Sequence, residues 1–426
     1  MRRLNPLVSL GVDVFLGEGI WRAYRGKRIS IMCNSASITS NYTYTVDEML
    51  SRGLKIQGII VPEHGFWGYF QAGEEVQHYY DRYLGSWVYS LYKAFREEVK
   101  RALEESEALI IDIQDLGLRF YTYLSSVLDL LHLASRLGGK EILILDRPNP
   151  LGGIIVEGPI AREDMISIVS PYKIPIRYGA TIGEIARLYE NEESIGIDLR
   201  VIPVKGWSRE MDILDIATPW APPSPAIPTP DTVYPYALTV YFEATNISEG
   251  RGTYTPFKIF GAPFIDPKRI SQALGDVISR DIAVFRPAMF RPLFSKYSGE
   301  ICGGVYIHVI NRKRIKVFET SLKILSTVYK LYGDYIETKK YGDKFSIDML
   351  YGDPRARYAI TGQLDLDSYI SSVNYEILNY REIRTGQDIQ LIIQRPLFKQ
   401  TLSKKIPYIA CWQVSSRKAQ EWGEYY

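Results

Sequence analysis

The sequence predicts an α/β fold, a doubly wound and mainly parallel sheet over the first half of the chain, with a second domain of α+β type behind it. Three observations carry this. Apolar runs of strand length alternate with amphipathic runs of helix length from about residue 28 to 205. Three of the strand-length runs stop abruptly in acid, basic or amide residues with glycine, at 58–68, 109–123 and 142–153. Seven prolines crowd residues 219–235, and beyond them the alternation is lost. In open α/β sheets ligands bind outside the carboxyl ends of the strands, so polar clusters on several strand ends imply one built site.

Taken in order, RISIMC (28–33) reads as a buried strand, TVDEMLSRG (45–53) as a helix with a glycine stop, and KIQGIIV (55–61) as a second strand. A helix near 93–104, a strand at 108–113, a helix at 122–137 and a strand at 141–145 continue the pattern. The helix at 182–190 opens on Thr181 with Glu184 three residues on, a capping box, and the strand 198–204 follows. The proline-rich segment is read as extended loop and as the domain boundary, because proline fixes φ and removes a donor. The expected division is 1–231 for the first domain and 232–426 for the second. In the latter, 238–244, 303–310 and the region 376–411 read as strands, mixed with helices near 267–280 and 319–332. No regular βα alternation persists there, which points to a mainly antiparallel sheet.

Composition narrows the function class. Fifty-one Lys and Arg against 49 Asp and Glu leave a formal charge of +2, so neither nucleic acid nor an anionic membrane is an expected partner. Cys33, Cys302 and Cys411 are odd in number and lack metal-type spacing, which argues against a disulfide framework or structural zinc. The first apolar stretch is broken by Asn5, Pro6 and Asp13, and the chain reads as cytoplasmic. There is no GxGxxG after a strand, no GxxxxGK[ST], no GxSxG and no HExxH, so nicotinamide, P-loop and serine-hydrolase chemistry lack their usual parts. No cofactor and no resident metal are implied, and the sequence sets no oligomeric state.

The chemistry-bearing residues sit on the strand ends and in one later loop. Glu63 and His64 in VPEHGFWG follow a strand, where a buried carboxylate serves as acid or base and an imidazole orients it. Asp115 in DIQDLG is read either as a ligand-facing acid or as a cap for the following helix. Arg119, Tyr121 and Tyr123 offer a carboxylate partner and stacking surface, against core packing as the alternative. Asp146, Arg147 and Asn149 stand on a loop stiffened by Pro148 and Pro150, with an Asp146–Arg147 ion pair as the plain alternative to a binding role, and scaffold is preferred for Glu157. The densest cluster is 243–263, where Glu243, Asn246, Glu249 and Arg251 crowd a glycine-flanked loop.

Taken together and in order, VPEHGFWG, QAGEEV, DIQDLGLRFYTY, LDRPNPLGG, VEGP, TIGE, PSPAIPTPDTVYP, TNISEGRGT and CGGVYIHV resemble the NamZ-type exo-β-N-acetylmuramidases, from about residue 10 to 310. The resemblance implies a Rossmann-like catalytic domain joined to a C-terminal domain, with the site in the cleft between them. It implies release of a terminal N-acetylated amino sugar, N-acetylmuramic acid or a relative, from the non-reducing end of a glycan fragment. Glu63 is then the acid/base, His64 its orienter, and Asp115 or Glu249 the second carboxylate that glycoside hydrolysis usually takes. Arg119 or Arg251 pairs with the lactyl carboxylate, and Tyr121, Asn149 and Asn246 complete the substrate contacts. Four positions depart from the family pattern: Trp67 for a basic residue, Ala226 for asparagine, and Tyr236 and Ala244 for glycine. Two rival readings stand beside this one. Glu63, His64, Asp112 and Asp115 would supply a metal-dependent hydrolase with an oxygen-rich site, and a non-catalytic amino-sugar-binding protein would use the same surfaces without turnover.

Overall fold

The computed structural model describes residues 8–92 and 96–385, the side chains of 96 and 381–385 excepted. Seven strands form the first sheet: β1 (Arg28–Met32), β2 (Lys55–Val61), β3 (Tyr79–Asp81), β4 (Ser86–Ser90), β5 (Ala108–Ile111), β6 (Glu141–Leu145) and β7 (Asp198–Ile202). Their order is β3-β4-β2-β1-β5-β6-β7, and every neighbouring pair is parallel except β3 with β4. Chain direction across the sheet reverses between β1 and β5, which is where an open α/β sheet leaves its crevice.

Alternation along the strands explains why both faces are covered. Leu109 and Ile111 of β5 and Ile142 and Ile144 of β6 enter one apolar cluster, with Val99 and Leu103 of α3 (Arg96–Glu104), Leu124 and Val127 of α4 (Tyr123–Leu137) and Ile185 of α5 (Ile182–Glu193). Ile110, Leu143 and Leu145 enter the other, with Val12 and Phe15 of α1 (Gly11–Gly17) and Val46 and Met49 of α2 (Thr45–Ser51). Successive side chains point to opposite faces, so a strand buried on both sides must be apolar throughout, as the ALII of β5 is. The Thr181–Glu184 capping box forms as expected.

The proline-rich stretch ends earlier than expected. A 3-10 turn covers Pro230–Thr232, and α6 (Val233–Thr239) begins directly after it. The strand expected over 238–244 is therefore absent: the run is the end of α6 and a 3-10 helix, Val240–Ala244. Leu238, Val240, Tyr241, Phe242 and Ala244 are all buried, and an apolar run buried all round carries no period by which strand and helix can be told apart. Tyr241 stacks on Tyr351 at 4.0 Å, a contact made by tertiary structure alone.

The second sheet is antiparallel, β8 (Ile259–Ala262), β9 (Ala283–Phe290) and β10 (Cys302–Val309), in the order β8-β10-β9. Gly261 and Gly303 face each other so closely that a Cβ on Gly261 would lie 2.1 Å from the Gly303 carbonyl oxygen. Helices α7 (Pro267–Val277) and α8 (Val317–Tyr332) pack against it and each other. A short hairpin of β11 (Lys340–Tyr341) and β12 (Lys344–Phe345) precedes α9 (Ser346–Tyr351), α10 (Arg355–Ile360) and α11 (Leu366–Thr385). The expected strands over 376–411 are corrected in part: 376–385 closes α11, and the remainder, with Cys411, lies outside the described residues. Tyr369, Ile370, Val373 and Ile377 are buried at helical spacing, which a strand would not bury on one face. One apolar cluster runs from the sheet through Tyr234 and Tyr241 to Ile377, so the two halves share a core.

Candidate active site

The EHG turn is built by backbone conformation. After β2 the chain enters Pro62, and His64 and Gly65 both take left-handed φ values, 76° and 72°. A histidine rarely adopts that region, and residues held there tend to mark functional turns. The turn leaves Glu63 buried with both carboxylate oxygens engaged: Oε1 accepts from the Gly73 amide at 3.0 Å and Oε2 from the Thr122 hydroxyl at 2.9 Å. Thr122 stands at the amino end of α4. A hydroxyl suits either protonation state of a carboxyl, since it donates to the anion and accepts from the acid.

His64 Nδ1 is 2.8 Å from the Phe70 carbonyl, which can only accept, so Nδ1 carries the hydrogen and Nε2 is left as the acceptor. Burial pushes the imidazole below its usual pKa; Glu63 opposes this and Arg251 adds to it. His64 is a neutral neighbour of Glu63.

At the end of β5 the cluster divides into scaffold and a carboxylate with one unpartnered oxygen. Asp112 takes the Arg147 guanidinium in two bonds, Nε to Oδ1 at 2.5 Å and Nη2 to Oδ2 at 2.9 Å, and also accepts from Thr45. The pair expected between Asp146 and Arg147 is thus replaced: Asp146 accepts from Thr181 and the Gly183 amide, and burial pushes it up to about 7. Asp115 does not cap α4. Its Oδ2 accepts from the Gly117 amide at 2.5 Å and from the Tyr178 hydroxyl, while its buried Oδ1 meets no hydrogen-bond partner. Burial pushes Asp115 up to about 6, against the lowering effect of Tyr178 and the Gly117 and Leu116 amides.

Three of the expected substrate contacts are spent elsewhere. Arg119 is fully buried and donates to Ser170 Oγ and to the carbonyls of Pro159, Ile174, Leu350 and Tyr351, with no carboxylate among them. It joins the first half of the chain to the α9 region and leaves no donor for a ligand. Asn149 gives its amide to the Ala180 carbonyl and takes the Leu151 amide, and its Oδ1 would lie 2.1 Å from a Cβ on Gly117. It buttresses the turn that holds Asp115. Asn246 clips the segment 335–337 through the Tyr335 carbonyl and the Glu337 amide. Tyr121 is core, tilted on Tyr123 at 4.6 Å. Glu157 is scaffold as preferred, paired with Arg177 at 3.1 Å and accepting from the Phe318 amide.

Glu243, Glu249 and Arg251 do come together, with a residue no local motif announces. Arg251 donates Nη2 to Glu243 Oε1 at 2.6 Å, its Nε lies 3.3 Å from Glu249 Oε1, and Lys296 donates to Glu249 Oε2 at 2.8 Å. Burial would raise Glu249, but Lys296 and Arg251 outweigh it and hold its carboxyl below the usual range. Burial raises Glu243 in spite of Arg251. Arg251 Nη1 makes no hydrogen bond to a described residue. Lys339 stands beside this network without an ion pair among the described residues; desolvation of its ammonium and the Lys296 charge lower it.

The two clusters are joined by rings. Tyr236 of α6 sits edge-on to Phe257 at 4.7 Å, to Phe120 at 5.6 Å and to Tyr121 at 6.1 Å. Of the other departures, Trp67 donates to Asp81 at 2.7 Å and packs on Tyr44, Phe66 and Tyr83, and Ala226 is buried in the core. The oxygen-rich metal set is not assembled, since Asp112 belongs to Arg147 and no group of three or more metal-binding side chains occurs among the described residues. No helix of the described residues is long and apolar enough to cross a membrane.

Residues 29–231 match the family described as exo-beta-N-acetylmuramidase NamZ, N-terminal, and 234–387 match its C-terminal counterpart. The chain belongs to the NamZ family. It is 36% identical over 381 residues to the peptidoglycan beta-N-acetylmuramidase NamZ of Bacillus subtilis (strain 168), covering 89% of this chain and 91% of that one. Two crystal structures of DUF1343 family proteins from Bacteroides fragilis share its fold. The first has a TM-score of 0.73 at 27% identity over 91% of this chain and 97% of the other; the second has 0.65 at 26% over 89% and 98%. As a NamZ-family protein it is a glycoside hydrolase.

Proposed function

We propose that the protein removes a terminal N-acetylmuramic acid, or a closely related N-acetylated amino sugar, from the non-reducing end of peptidoglycan fragments, with Glu63 as acid/base. The observation that carries this is the contrast at the strand ends. Glu63 is fixed through both oxygens by neutral donors, and Asp115 is buried with one oxygen unpartnered. Glycoside hydrolysis asks for a carboxyl that delivers a proton to the leaving oxygen and a second carboxylate on the sugar. Asp115 takes the second role in preference to Glu249, whose two oxygens are held by Arg251 and Lys296. His64, neutral at Nε2, contacts the sugar or the leaving group beside Glu63.

Arg251 is the partner of the lactyl carboxylate. Its Nη1 is unspent, whereas Arg119 has no free donor. In this reading 1–231 supplies the proton chemistry and 232–426 the anion recognition. The compartment proposed is the cytoplasm, in keeping with Cys33 and Cys302, which are buried and unpaired.

The test is a panel of nitrophenyl β-glycosides of N-acetylglucosamine with and without the 3-O-lactyl ether. Hydrolysis confined to the lactyl-bearing compound is expected. Tight binding of the sugar with no turnover of any member would return the non-catalytic reading.

A further inference from the structure

Between the two charged clusters lies a residue that neither contains. From Arg251 a chain of contacts leads across the junction: its guanidinium sits 5.1 Å over the Phe257 ring, and Phe257 is edge-on to Tyr236 at 4.7 Å. Tyr236 meets Tyr121 at 6.1 Å, Tyr121 meets Tyr123 at 4.6 Å, and Tyr123, whose hydroxyl donates to the Pro223 carbonyl, lies 3.4 Å from the backbone carbonyl of Glu63. Tyr236 is the middle link. It is only 6% exposed, its ring is gripped on three sides, and its hydroxyl makes no hydrogen bond to a described residue. Yet that oxygen is not sealed, unlike the hydroxyls of Tyr121 and Tyr241.

The charges of Glu243, Arg251, Glu63 and Asp115 all act on this one hydroxyl, two from each side of the junction. A buried phenol left without a partner is costly, and natural interiors keep few of them. The hydroxyl is thus an unbonded and unsealed group between the clusters, its ring touching Phe257 on one side and Tyr121 on the other. A sugar presents hydroxyl, amide and ring oxygens, any of which satisfies a phenol.

We propose that Tyr236 is a substrate-contacting residue: its ring forms the floor between the two clusters, and its hydroxyl hydrogen-bonds the sugar held between Glu63 and Arg251. This rests on the hydrolase reading of the same site. The ring is a large side chain, so it also narrows the space under the sugar. Substrates bulkier at that face are excluded by volume, and those that fit gain a hydrogen bond.

Tyr236→Phe removes one oxygen and keeps every ring contact, which makes it the test. In the full chain, kcat/KM on the lactyl-bearing nitrophenyl glycoside is expected to fall about tenfold to hundredfold, with the melting temperature unchanged or raised because an unpaired hydroxyl has gone. Turnover within twofold of wild type overturns the inference, as does a loss of activity that only follows a loss of folded protein. Should the wild type hydrolyse none of the panel, the hydrolase reading fails separately. The inference is then read on calorimetric binding of free N-acetylmuramic acid. Affinity weakened tenfold or more in the variant upholds the contact, and a smaller change overturns it.

Discussion

The two clusters that meet at Tyr236 are held by different forces. On the strand-end side, Glu63 and Asp115 are bound by neutral donors: two backbone amides, a threonine and a tyrosine. On the other side, Glu249 and Glu243 are bound by cations, Arg251 and Lys296. Neutral donors orient a carboxyl without paying the full cost of desolvating its charge, so burial prevails and Asp115 rises to about 6. Cations overcome burial at Glu249, which is held below its ordinary value. Asp115 can therefore exchange its proton near neutral pH, whereas Glu249 stays ionised between its two cations. In the proposed reading, proton chemistry and anion recognition are divided between the two clusters by the way each acid is partnered.

The largest effect that bears on this contrast is expected from Glu63→Gln. It should lower kcat on the aryl glycoside by roughly 10²- to 10⁴-fold with little change in urea midpoint, since the amide keeps the Thr122 contact. Near wild-type turnover would remove Glu63 from the mechanism and with it the assignment of proton chemistry to this side. Arg119→Met should act on stability instead. Five buried acceptors lose their donor, and about 3–5 kcal/mol of unfolding free energy is expected to go, measured by urea denaturation. If the variant folds normally and only KM rises, Arg119 belongs with the binding residues after all.

Arg251→Lys is predicted to raise KM for the lactyl-bearing substrate on the order of tenfold to hundredfold while leaving kcat within a few-fold, because a point charge cannot serve Glu243, Glu249 and a ligand together. A uniform fall in kcat on substrates with and without the lactyl group would erase the division between the two sides. The smallest effect concerns pH. Asp115 is raised from 3.8 to about 6, so it is protonated in the fold at pH 5 and ionised at pH 7.5. The acidic limb of kcat/KM should have its midpoint near 6 and disappear in Asp115→Asn, whatever activity remains. The same shift fixes the sign for stability: a folded pKa above the unfolded one contributes stability below pH 3.8 that is lost as pH rises through about 6. In Asp115→Asn that loss should be missing from the urea midpoints between these values.

The strand-end side was legible in the sequence because its acids follow apolar runs closely. Glu63 comes two residues after β2 ends and Asp115 four after β5. Which acid would be spent on scaffold was not legible. Asp112 and Asp115 share one short motif, yet Asp112 is claimed by Arg147, 35 residues on, and Asp115 by Tyr178, 63 residues on. Arg119 looked like a binding residue because local sequence cannot reveal that carbonyls from Pro159 to Tyr351 converge on it. Lys296 left no signal at all: it reaches Glu249 across 47 residues from an irregular loop. Thr122, by contrast, sits at the start of the helix read over 122–137, where a hydroxyl is a recognisable signal.

By itself the sequence determined what depends on neighbours in the chain: the alternation of strands and helices, the capping box at Thr181, the proline-rich passage, and the turns that carry Glu63 and Asp115 at strand ends. Period and local capping are short-range, so they are written within a few residues of where they act. The tertiary structure alone decided which charges cancel, which carboxyl oxygen stays unpartnered, and that the buried run after Val233 is helical. It also set Tyr236 between the clusters. Those outcomes depend on burial and on partners tens to hundreds of residues away, and burial is a property of the packed chain rather than of any stretch of it.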